Sequence, residues 1–306
     1  MIYSLSNYAL NEESIENLNQ DDNNLIVATI EFNELESVAK KLNINEKILY
    51  ECLNGKSTKF ESYEGFDYIA MKVPNIRDMS KPSRRICIFF RKNLIAFIGD
   101  KNFITNDIIN KIQSKEIKCT SLGKMLYLFF DKLTCEDTEL IENVEKEIVE
   151  LEESLITSKN DDYLNKIIIL RKKLLRLKRY YERFLNIAEN IEENENGLID
   201  KKTGKYFRMF TNRINRLYQS VNNLRDYVTQ VREAYQAQVD IDQNKLMKLF
   251  TVVTTIFLPL TLIVGWYGMN FTMPEYNLPY AYPVVIIISI SIVVSCIVWF
   301  KKNKWF

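Results

Sequence analysis

Two long hydrophobic stretches lie near the C-terminal end of the chain, and no charged residue interrupts either of them. The first covers residues 249–274 and the second covers residues 276–300. A helix needs about 20 apolar residues to cross the hydrocarbon core of a bilayer, so each stretch is long enough to span a membrane. The pattern predicts a transmembrane hairpin, with a first span at 246–270, an outer loop at 271–279 and a second span at 280–300.

Basic residues flank this hairpin on one side only. Two lysines precede the first span, three follow the second span in the tail 301–306, and the loop between the spans carries only Glu275. Because positively charged flanks stay in the cytoplasm, both ends of the hairpin are predicted to be cytoplasmic. We therefore expect a multi-pass protein of the plasma membrane whose N- and C-termini lie in the cytoplasm.

The first span has two different faces when its residues are placed at 100° intervals around a helix. Small and polar residues, with a few apolar ones, share one face, and aliphatic residues share the other. The small face either packs helix against helix or lines a water-filled pore. A pore needs several copies of the hairpin, which predicts a closed homo-oligomer. The candidate pore residues are Asn244, Met247, Phe250, Thr254, Leu258 and Thr261.

The first span ends in the tripeptide Gly268, Met269 and Asn270. Gly268 is a candidate helix terminator, and a chain that turns there would bring the amide of Asn270 over a pore axis. An amide oxygen is a suitable ligand for a hydrated cation. Pro259, in the middle of the span, predicts a bend because it cannot donate a hydrogen bond to the preceding turn.

A seam of apolar residues at three- and four-residue spacing precedes the first span. No glycine or proline interrupts residues 205–258, which predicts one helix of about sixty residues that continues into the membrane. The spacing is typical of a coiled coil. The helix is either a structural stalk or a rod that transmits a rotation to a gate. The seam consists of Phe207, Phe210, Ile214, Leu217, Val221, Leu224, Val228, Val231 and Tyr235.

Residues 121–245 as a whole are predicted to form long helices. Nine carboxylates lie within 136–153 and eight basic residues within 166–183, and Asn196 with Gly197 predicts the turn of a helical hairpin. Such charge runs are usually solvated faces. The alternative is that the acidic run attracts divalent cations toward the inner mouth of a pore.

Residues 1–120 are predicted to form a cytoplasmic α/β domain, so that the fold class is α+β with a long helical stalk and a transmembrane hairpin. The segment 54–57 superficially resembles a phosphate-binding loop, but it lacks the upstream glycine and a preceding strand. The predicted strands cover 2–5, 25–30, 66–73, 84–91 and 94–98, and the predicted helices cover 34–42, 46–53 and 106–115.

Composition narrows the chemistry further. The 306 residues include no histidine, which removes the commonest general base and transition-metal ligand. The five cysteines are widely spaced and the net charge is +1, so neither a zinc site nor a nucleic-acid partner is expected. No catalytic constellation is present, so no enzyme activity is expected. The N-terminus does not suggest a cleaved signal peptide.

Four segments in the C-terminal part of the chain resemble one family. The segment 267–271, which contains Gly268, Met269 and Asn270, matches the signature of the CorA-type magnesium channels, and segments 244–248, 273–275 and 301–306 are similar to the same family. The resemblance implies a homopentamer with a funnel-shaped cytoplasmic part and five first spans around the pore. It also implies that the tripeptide is the selectivity filter.

The resemblance further implies roles for single residues. Asn244 would lie at the inner end of the pore, and Met247 and Leu258 would form hydrophobic constrictions. Phe250 stands where relatives often carry a smaller aliphatic residue. Met209 falls where some relatives carry an acid of a regulatory magnesium site, so such a site is in doubt here.

Together these features predict a channel for divalent cations, mainly Mg²⁺, whose uptake is driven by the membrane potential. Asn270 would bind the ion through its water shell, and Mg²⁺ would be the transported ion and a candidate regulator, with no other cofactor. One alternative is a Zn²⁺, Co²⁺ or Ni²⁺ transporter on the same scaffold, although relatives that select zinc tend to replace the residue equivalent to Met269. Another is a membrane-anchored coiled-coil sensor that transports nothing.

Overall fold

The computed structural model describes residues 1–6, 9–13, 24–55, 57–75, 81–100, 103–157, 163–271, 273–303 and 305. These residues fall into two units, Met1–Gln230 and Val231–Phe306. One uninterrupted helix of 67 residues, Lys201–Tyr267, contributes to both units. The prediction of a single helix that continues into the first membrane span is therefore confirmed.

A mixed sheet of seven strands forms the centre of the first unit. The strands are β1 (Ile2–Ser6), β2 (Ala9–Glu13), β3 (Leu25–Ile30), β4 (Lys59–Tyr63), β5 (Phe66–Val73), β6 (Arg84–Arg91) and β7 (Leu94–Gly99). Their order across the sheet is β2-β1-β3-β7-β6-β5-β4. Strands β3 and β7 are parallel, and every other neighbouring pair is antiparallel. The central strand β7 is buried along its whole length, as expected when both faces of a sheet are covered.

Helices cover both faces of this sheet. The helices are α1 (Leu35–Ala39), α2 (Glu46–Asn54), α3 (Phe103–Gln113), α4 (Leu122–Leu133), α5 (Asp137–Thr157), α6 (Tyr163–Glu193), α7 (Lys201–Tyr267) and α8 (Ala281–Lys302). On one face, Leu35 of α1 and Ile48 of α2 share a buried cluster with Ala96 of β7. On the other face, the ring of Phe97 lies 4.9 Å from that of Phe129 on α4.

The five predicted strands are confirmed, and so are the three predicted helices of this domain, although α1 is shorter than expected. Strands β2 and β4 were not predicted. Both are edge strands of the sheet, and their sequences are short and polar. An edge strand is held by pairing on one side, so it needs little of the hydrophobic pattern that identifies a buried strand.

The apolar seam of α7 packs against helices of the same chain. The ring of Phe210 lies 5.7 Å from Phe130 on α4 and 5.6 Å from Phe184 on α6. The seam residues are buried from Phe207 as far as Val231, and Tyr235 is half-buried. The seam is therefore a core face of this chain, and its coiled-coil-like spacing is used in packing against helices of the same chain.

Asn196 joins the connection between α6 and α7 to the hairpin between β4 and β5. Its amide nitrogen lies 2.7 Å from the carboxylate of Asp67, 2.8 Å from the Ser62 hydroxyl and 2.8 Å from the Tyr63 carbonyl. Burial raises the pKa of Asp67, and the hydrogen bonds from Asn196 and Ser62 offset part of that rise. Gly197 follows with a φ of 62°, a conformation that favours glycine. The predicted turn is confirmed, and its asparagine is a tertiary contact as well.

The second unit contains the end of α7, a 3-10 turn at Pro274–Asn277, and α8. Both helices are long and apolar enough to cross a membrane, and only 6% of the most apolar window of each is buried in the chain. A core helix of a soluble protein would be mostly buried, so this exposure favours a bilayer. Helix α8 continues past the predicted span to Lys302, because lysines at a helix C-terminus are favourable. Lys304 and Phe306 of the predicted tail lie outside the described residues.

Asp137 is a buried carboxyl at the start of α5. It lies beside Tyr181 of α6 and within the influence of the Arg213 charge on α7. Burial raises the pKa of Asp137 from its ordinary value to about 6, and the Tyr181 hydroxyl and Arg213 offset only part of this rise. Because the folded chain holds the proton more tightly than the unfolded chain, Asp137 contributes stability at low pH. That contribution is lost as the pH rises through about 6.

The Asn196 contact predicts a local loss of stability in the variant Asn196→Ala. Removing the amide leaves the buried Asp67 carboxylate with one hydrogen-bond partner fewer, which typically costs about 1–3 kcal/mol. We expect faster hydrogen exchange of backbone amides in β4 and β5, measured by mass spectrometry on the full-length protein. The control Asn110→Ala removes an exposed amide on α3 and should leave these rates unchanged. Equal exchange in both variants would show that Asn196 does not hold the hairpin.

The raised pKa of Asp137 predicts a pH-dependent gain of stability in Asp137→Asn. The neutral amide avoids the buried charge at pH 7.5, so the free energy of unfolding should rise by at most about 2–3 kcal/mol there. The gain should shrink toward pH 5, where the wild-type carboxyl takes up its proton. Thermal unfolding followed by far-ultraviolet circular dichroism measures this, with Asp226→Asn on the exposed side of α7 as the control. A gain that is the same at both pH values contradicts the assignment.

Candidate functional site

One stripe of each membrane helix is partly covered within the chain. Apart from Thr251, the covered positions on α7 are Val252, Ile256, Pro259, Leu260 and Ile263; apart from Val293, those on α8 are Ala281, Val285, Ser289, Ile292, Cys296 and Phe300. Both sets recur at three- and four-residue spacing, which is the pattern of helices that pack along one stripe. Val252 and Phe300 are the fully buried members. Each helix of the hairpin thus has a protein-facing stripe and an exposed remainder.

The candidate pore residues lie on the side of α7 opposite its covered stripe. At 100° per residue, the centres of the two sets are about 180° apart. All six candidates are exposed in the single chain: Asn244, Met247, Phe250, Thr254, Leu258 and Thr261. A face that carries an amide and hydroxyl groups is poorly suited to lipid, because polar groups in hydrocarbon lack partners. This face is therefore suited to water or to another protein surface.

The threonines of the first span use their hydroxyl hydrogens within the helix. Thr254 donates to the Phe250 carbonyl at 2.8 Å, and Thr261 donates to the Phe257 carbonyl at 2.8 Å. The hydroxyls of Thr251 and Thr255 likewise donate to the backbone carbonyls four residues earlier. Since the hydrogens are engaged, the exposed hydroxyls of Thr254 and Thr261 present mainly oxygen lone pairs. The face consequently offers hydrogen-bond acceptors.

The first span ends at Gly268, which makes a close contact with the preceding turn of the helix. Helix α7 ends at Tyr267, and the Gly268 N–H donates to the Val264 carbonyl at 2.8 Å. A Cβ atom on Gly268 would lie 2.8 Å from that same carbonyl oxygen. Among the described glycines, positive φ occurs at Gly65 and Gly197. Gly268 terminates the helix as predicted, but through close approach and not through a left-handed conformation.

Met269 and Asn270 lie beyond the helix end, and both are exposed. The Met269 N–H donates to the Trp266 carbonyl at 3.3 Å, which bends the chain away from helical continuation. If α7 continued, the helical period would direct Asn270 away from the candidate pore face. The helix ends at Tyr267, three residues before Asn270, so the helical period does not determine the direction of the Asn270 amide.

Charged groups are placed at the two ends of the span and not along it. Asp242 and Lys245 form an ion pair of 3.1 Å before the span, and Glu275 lies exposed in the 3-10 turn after it. Within the part of the chain that the structure describes, no group of three or more His, Cys, Asp or Glu side chains could hold a metal ion. Met209, the position at which a regulatory acid was in doubt, is exposed on α7.

Comparison with known proteins gives consistent matches over most of the chain. A family model described as "CorA-like Mg2+ transporter protein" matches residues 27–302. The cobalt/magnesium transport protein CorA of Thermotoga maritima is 27% identical over 283 residues, which cover 89% of this chain and 79% of the relative. The cobalt/magnesium transport protein CorA of Methanocaldococcus jannaschii is 28% identical over 290 residues, which cover 89% and 87%.

The solved structure of the CorA magnesium transporter from Methanocaldococcus jannaschii has the same fold. It matches with a TM-score of 0.82 at 22% sequence identity and covers 100% of this chain and 98% of its own. The predicted fold class, with an N-terminal α/β domain, a long helix and a C-terminal helix pair, is thereby confirmed. The roles of the individual pore and filter residues stay predictions.

The close contact at Gly268 predicts that Gly268→Ala disturbs the end of the first span. The added methyl group would lie too close to the Val264 carbonyl, so the backbone would have to shift. Comparable shifts in packed interiors destabilise a protein by about 1–3 kcal/mol. We expect faster hydrogen exchange of the Gly268–Asn270 amides in lipid nanodiscs. The matched control is Gly204→Ala, because Gly204 lies near the other end of α7 with open space around its position. Unchanged exchange in Gly268→Ala would mean that the helix end tolerates a side chain.

Proposed function

We propose a transport function from one premise: the chain belongs to the CorA-like Mg²⁺ transporter protein family. The protein is a channel for divalent cations, Mg²⁺ is its main ion, and it is not an enzyme. The relatives named as cobalt/magnesium transport proteins support this ion class. The single observation that carries the proposal is the exposed acceptor-lined face of α7, which ends at Gly268, Met269 and Asn270.

The transporting species is a homo-oligomer, and the count we propose is five. One hairpin encloses no space, whereas several copies around a closed axis would cover the exposed face of α7 with copies of itself. This arrangement removes the polar groups of that face from lipid. The homopentamer, with its funnel-shaped cytoplasmic part, rests on the family resemblance.

The ion passes the filter with its first water shell intact. Magnesium binds oxygen ligands and dehydrates reluctantly. The coordinated waters of a hydrated Mg²⁺ point their hydrogens outward, so they need hydrogen-bond acceptors. A ring of Asn270 amide oxygens provides acceptors without a formal charge, and the hydroxyl oxygens of Thr254 and Thr261 provide more along the pore. Asn270 is thus a ligand through water, and Mg²⁺ is the cargo and candidate regulator.

The membrane potential supplies the driving force. Moving one elementary charge through 100 mV is worth about 2.3 kcal/mol, so a divalent ion gains about 4.6 kcal/mol. That energy corresponds to an accumulation of more than about a thousandfold at equilibrium. An inside-negative potential therefore suffices for uptake.

Apolar side chains on the same face form the gate. Met247 and Leu258 are more than half exposed in the single chain, and copies of them around an axis would narrow the pore with hydrocarbon. A narrow apolar segment blocks ions by excluding water. Phe250 adds a larger ring between them, and Asn244 stands at the inner end. The gate in this chain is bulkier than one with an aliphatic residue at position 250.

The topology follows from the charges around the hairpin. The lysines before α7's membrane part and at the end of α8 are cytoplasmic, and Glu275 lies in the outer loop. The protein is then a multi-pass protein of the plasma membrane with both termini in the cytoplasm.

Two alternatives remain as outcomes of the test. A Zn²⁺, Co²⁺ or Ni²⁺ transporter would use the same face and filter and differ in ion preference. A non-transporting coiled-coil sensor loses its main support, because the seam of α7 is already buried against α4 and α6.

The filter assignment predicts that Asn270→Ala abolishes most Mg²⁺ uptake without preventing assembly. Losing the ring of amide oxygens should lower the flux by at least about tenfold, or about 1.4 kcal/mol in the barrier. The measurement is Mg²⁺ uptake into proteoliposomes under an inside-negative potential, with native mass spectrometry to count the subunits. Parallel assays with Co²⁺, Ni²⁺ and Zn²⁺ establish the ion preference.

The matched control is Asn277→Ala, which removes an exposed amide from the 3-10 turn of the same loop. It should leave the flux unchanged. Normal flux through Asn270→Ala would overturn the filter assignment. Wild-type protein that passes no divalent cation would overturn the transport proposal itself and favour the sensor.

A further inference from the structure

A basic groove lies in the first unit, between helix α6 and the edge of the sheet at β4 and β5. Its volume is about 190 Å³. Arg176, Arg179 and Arg183 line it from α6, and Lys72 lines it from β5. This groove is part of neither the membrane hairpin nor the proposed ion pathway.

Within the part of the chain that the structure describes, three basic side chains of this groove take part in no ion pair: Lys72, Arg179 and Arg183. No carboxylate is among the described residues that line the groove. Arg179 and Arg183 are four positions apart on one helix face, a spacing at which like charges repel. An anion in the groove would relieve that repulsion.

The contrast with the rest of α6 makes this arrangement informative. Lys173, on the same helix, forms an ion pair of 2.7 Å with Glu147 of the acidic helix α5. Arg179 and Arg183 instead line a wall that faces the sheet, where no described residue of α5 is among the lining. The nine carboxylates of residues 136–153 therefore do not neutralise the groove.

The remaining lining suits a phosphate group on a larger molecule. The Thr58 hydroxyl oxygen accepts a hydrogen bond of 3.2 Å from the backbone N–H of Lys72, which leaves the hydroxyl hydrogen for a ligand. Met71 and Phe184 add apolar surface beside the charges. The volume is below the roughly 300 Å³ at which pockets for drug-sized ligands begin. It therefore suits one compact anionic group, with the rest of a ligand outside.

We propose that this groove binds a phosphate group, either free or carried by a small molecule such as a nucleotide, through Arg179, Arg183 and Lys72. Arginine forks bind phosphate oxygens through paired hydrogen bonds, and lysine adds a point charge. The site is independent of the transport proposal, because its residues belong to the soluble unit and its occupancy is measured without ion flux.

The test is calorimetric titration of the purified full-length protein in nanodiscs, with EDTA present to remove divalent cations. The probes are ATP, inorganic phosphate and adenosine. Binding of ATP or phosphate, but not of adenosine, supports the proposal. Binding of both identifies free phosphate as sufficient, and binding of ATP alone identifies a phosphate ester. If neither phosphate-bearing probe binds, or if adenosine binds as well as ATP, the proposal is wrong.

Two sets of variants assign the binding to the groove. Arg179→Gln with Arg183→Gln should weaken binding by at least about tenfold, because charge-assisted hydrogen bonds are lost. Lys166→Gln with Arg171→Gln makes the same change of charge elsewhere on α6 and should leave binding unchanged. An equal loss in both double variants would reveal only general attraction to a basic helix. Should the first double variant unfold, Lys72→Gln alone tests the opposite wall.

Discussion

A helix that enters a bilayer must satisfy its backbone polar groups internally, and the rest of this structure depends on how α7 meets that constraint. The helix extends without interruption through Lys201–Tyr267, including Pro259 inside the membrane part. Its threonine hydroxyls donate to carbonyls four residues earlier, so even the polar side chains are satisfied locally. What remains exposed is a face of acceptor oxygens, to which lipid cannot donate hydrogen bonds. Such a face is suited to water, which supplies hydrogen-bond donors.

Helix α7 packs differently in the two units to which it contributes. In the first unit its apolar seam is buried against α4 and α6, where Phe130, Phe184 and Phe210 form one aromatic cluster. In the second unit its covered stripe is aliphatic, and the opposite face is left bare in one chain. The first surface is complete within the chain and the second is not. The bare face in the second unit is therefore the surface that the proposed association uses, whereas the seam in the first unit is already buried.

The sequence was most informative where a single physical requirement dominates. Two uncharged stretches longer than a bilayer core predict membrane helices almost independently of context, and α7 and α8 confirm them. The buried strands β5, β6 and β7 were predicted because their apolar residues are nearly continuous. Strands β2 and β4 were missed because an edge strand is defined by its partner more than by its own residues.

Other features were beyond prediction because they depend on which residues meet. The spacing of the α7 seam is the same whether its partner is another copy or helices of the same chain, so the coiled-coil interpretation could not be tested from spacing alone. Asn196 was recognised as a turn residue, but its contact with Asp67 joins positions 129 residues apart. Gly268 was identified as a helix end, but the sequence does not reveal that its missing side chain makes room for the Val264 carbonyl.

The absence of carboxylates from the span has a consequence for how a divalent ion moves. A ring of carboxylates would hold Mg²⁺ strongly, and an ion that is held strongly leaves slowly. In the proposed pore, neutral amide and hydroxyl oxygens would bind the water shell weakly, so each step would cost little. Selectivity would then depend on whether the hydrated ion keeps its shell, a property in which Mg²⁺ differs from ions that exchange water readily. The proposed filter requires that its amides be held in place, and the close backbone contact of Gly268 lies two residues before Asn270.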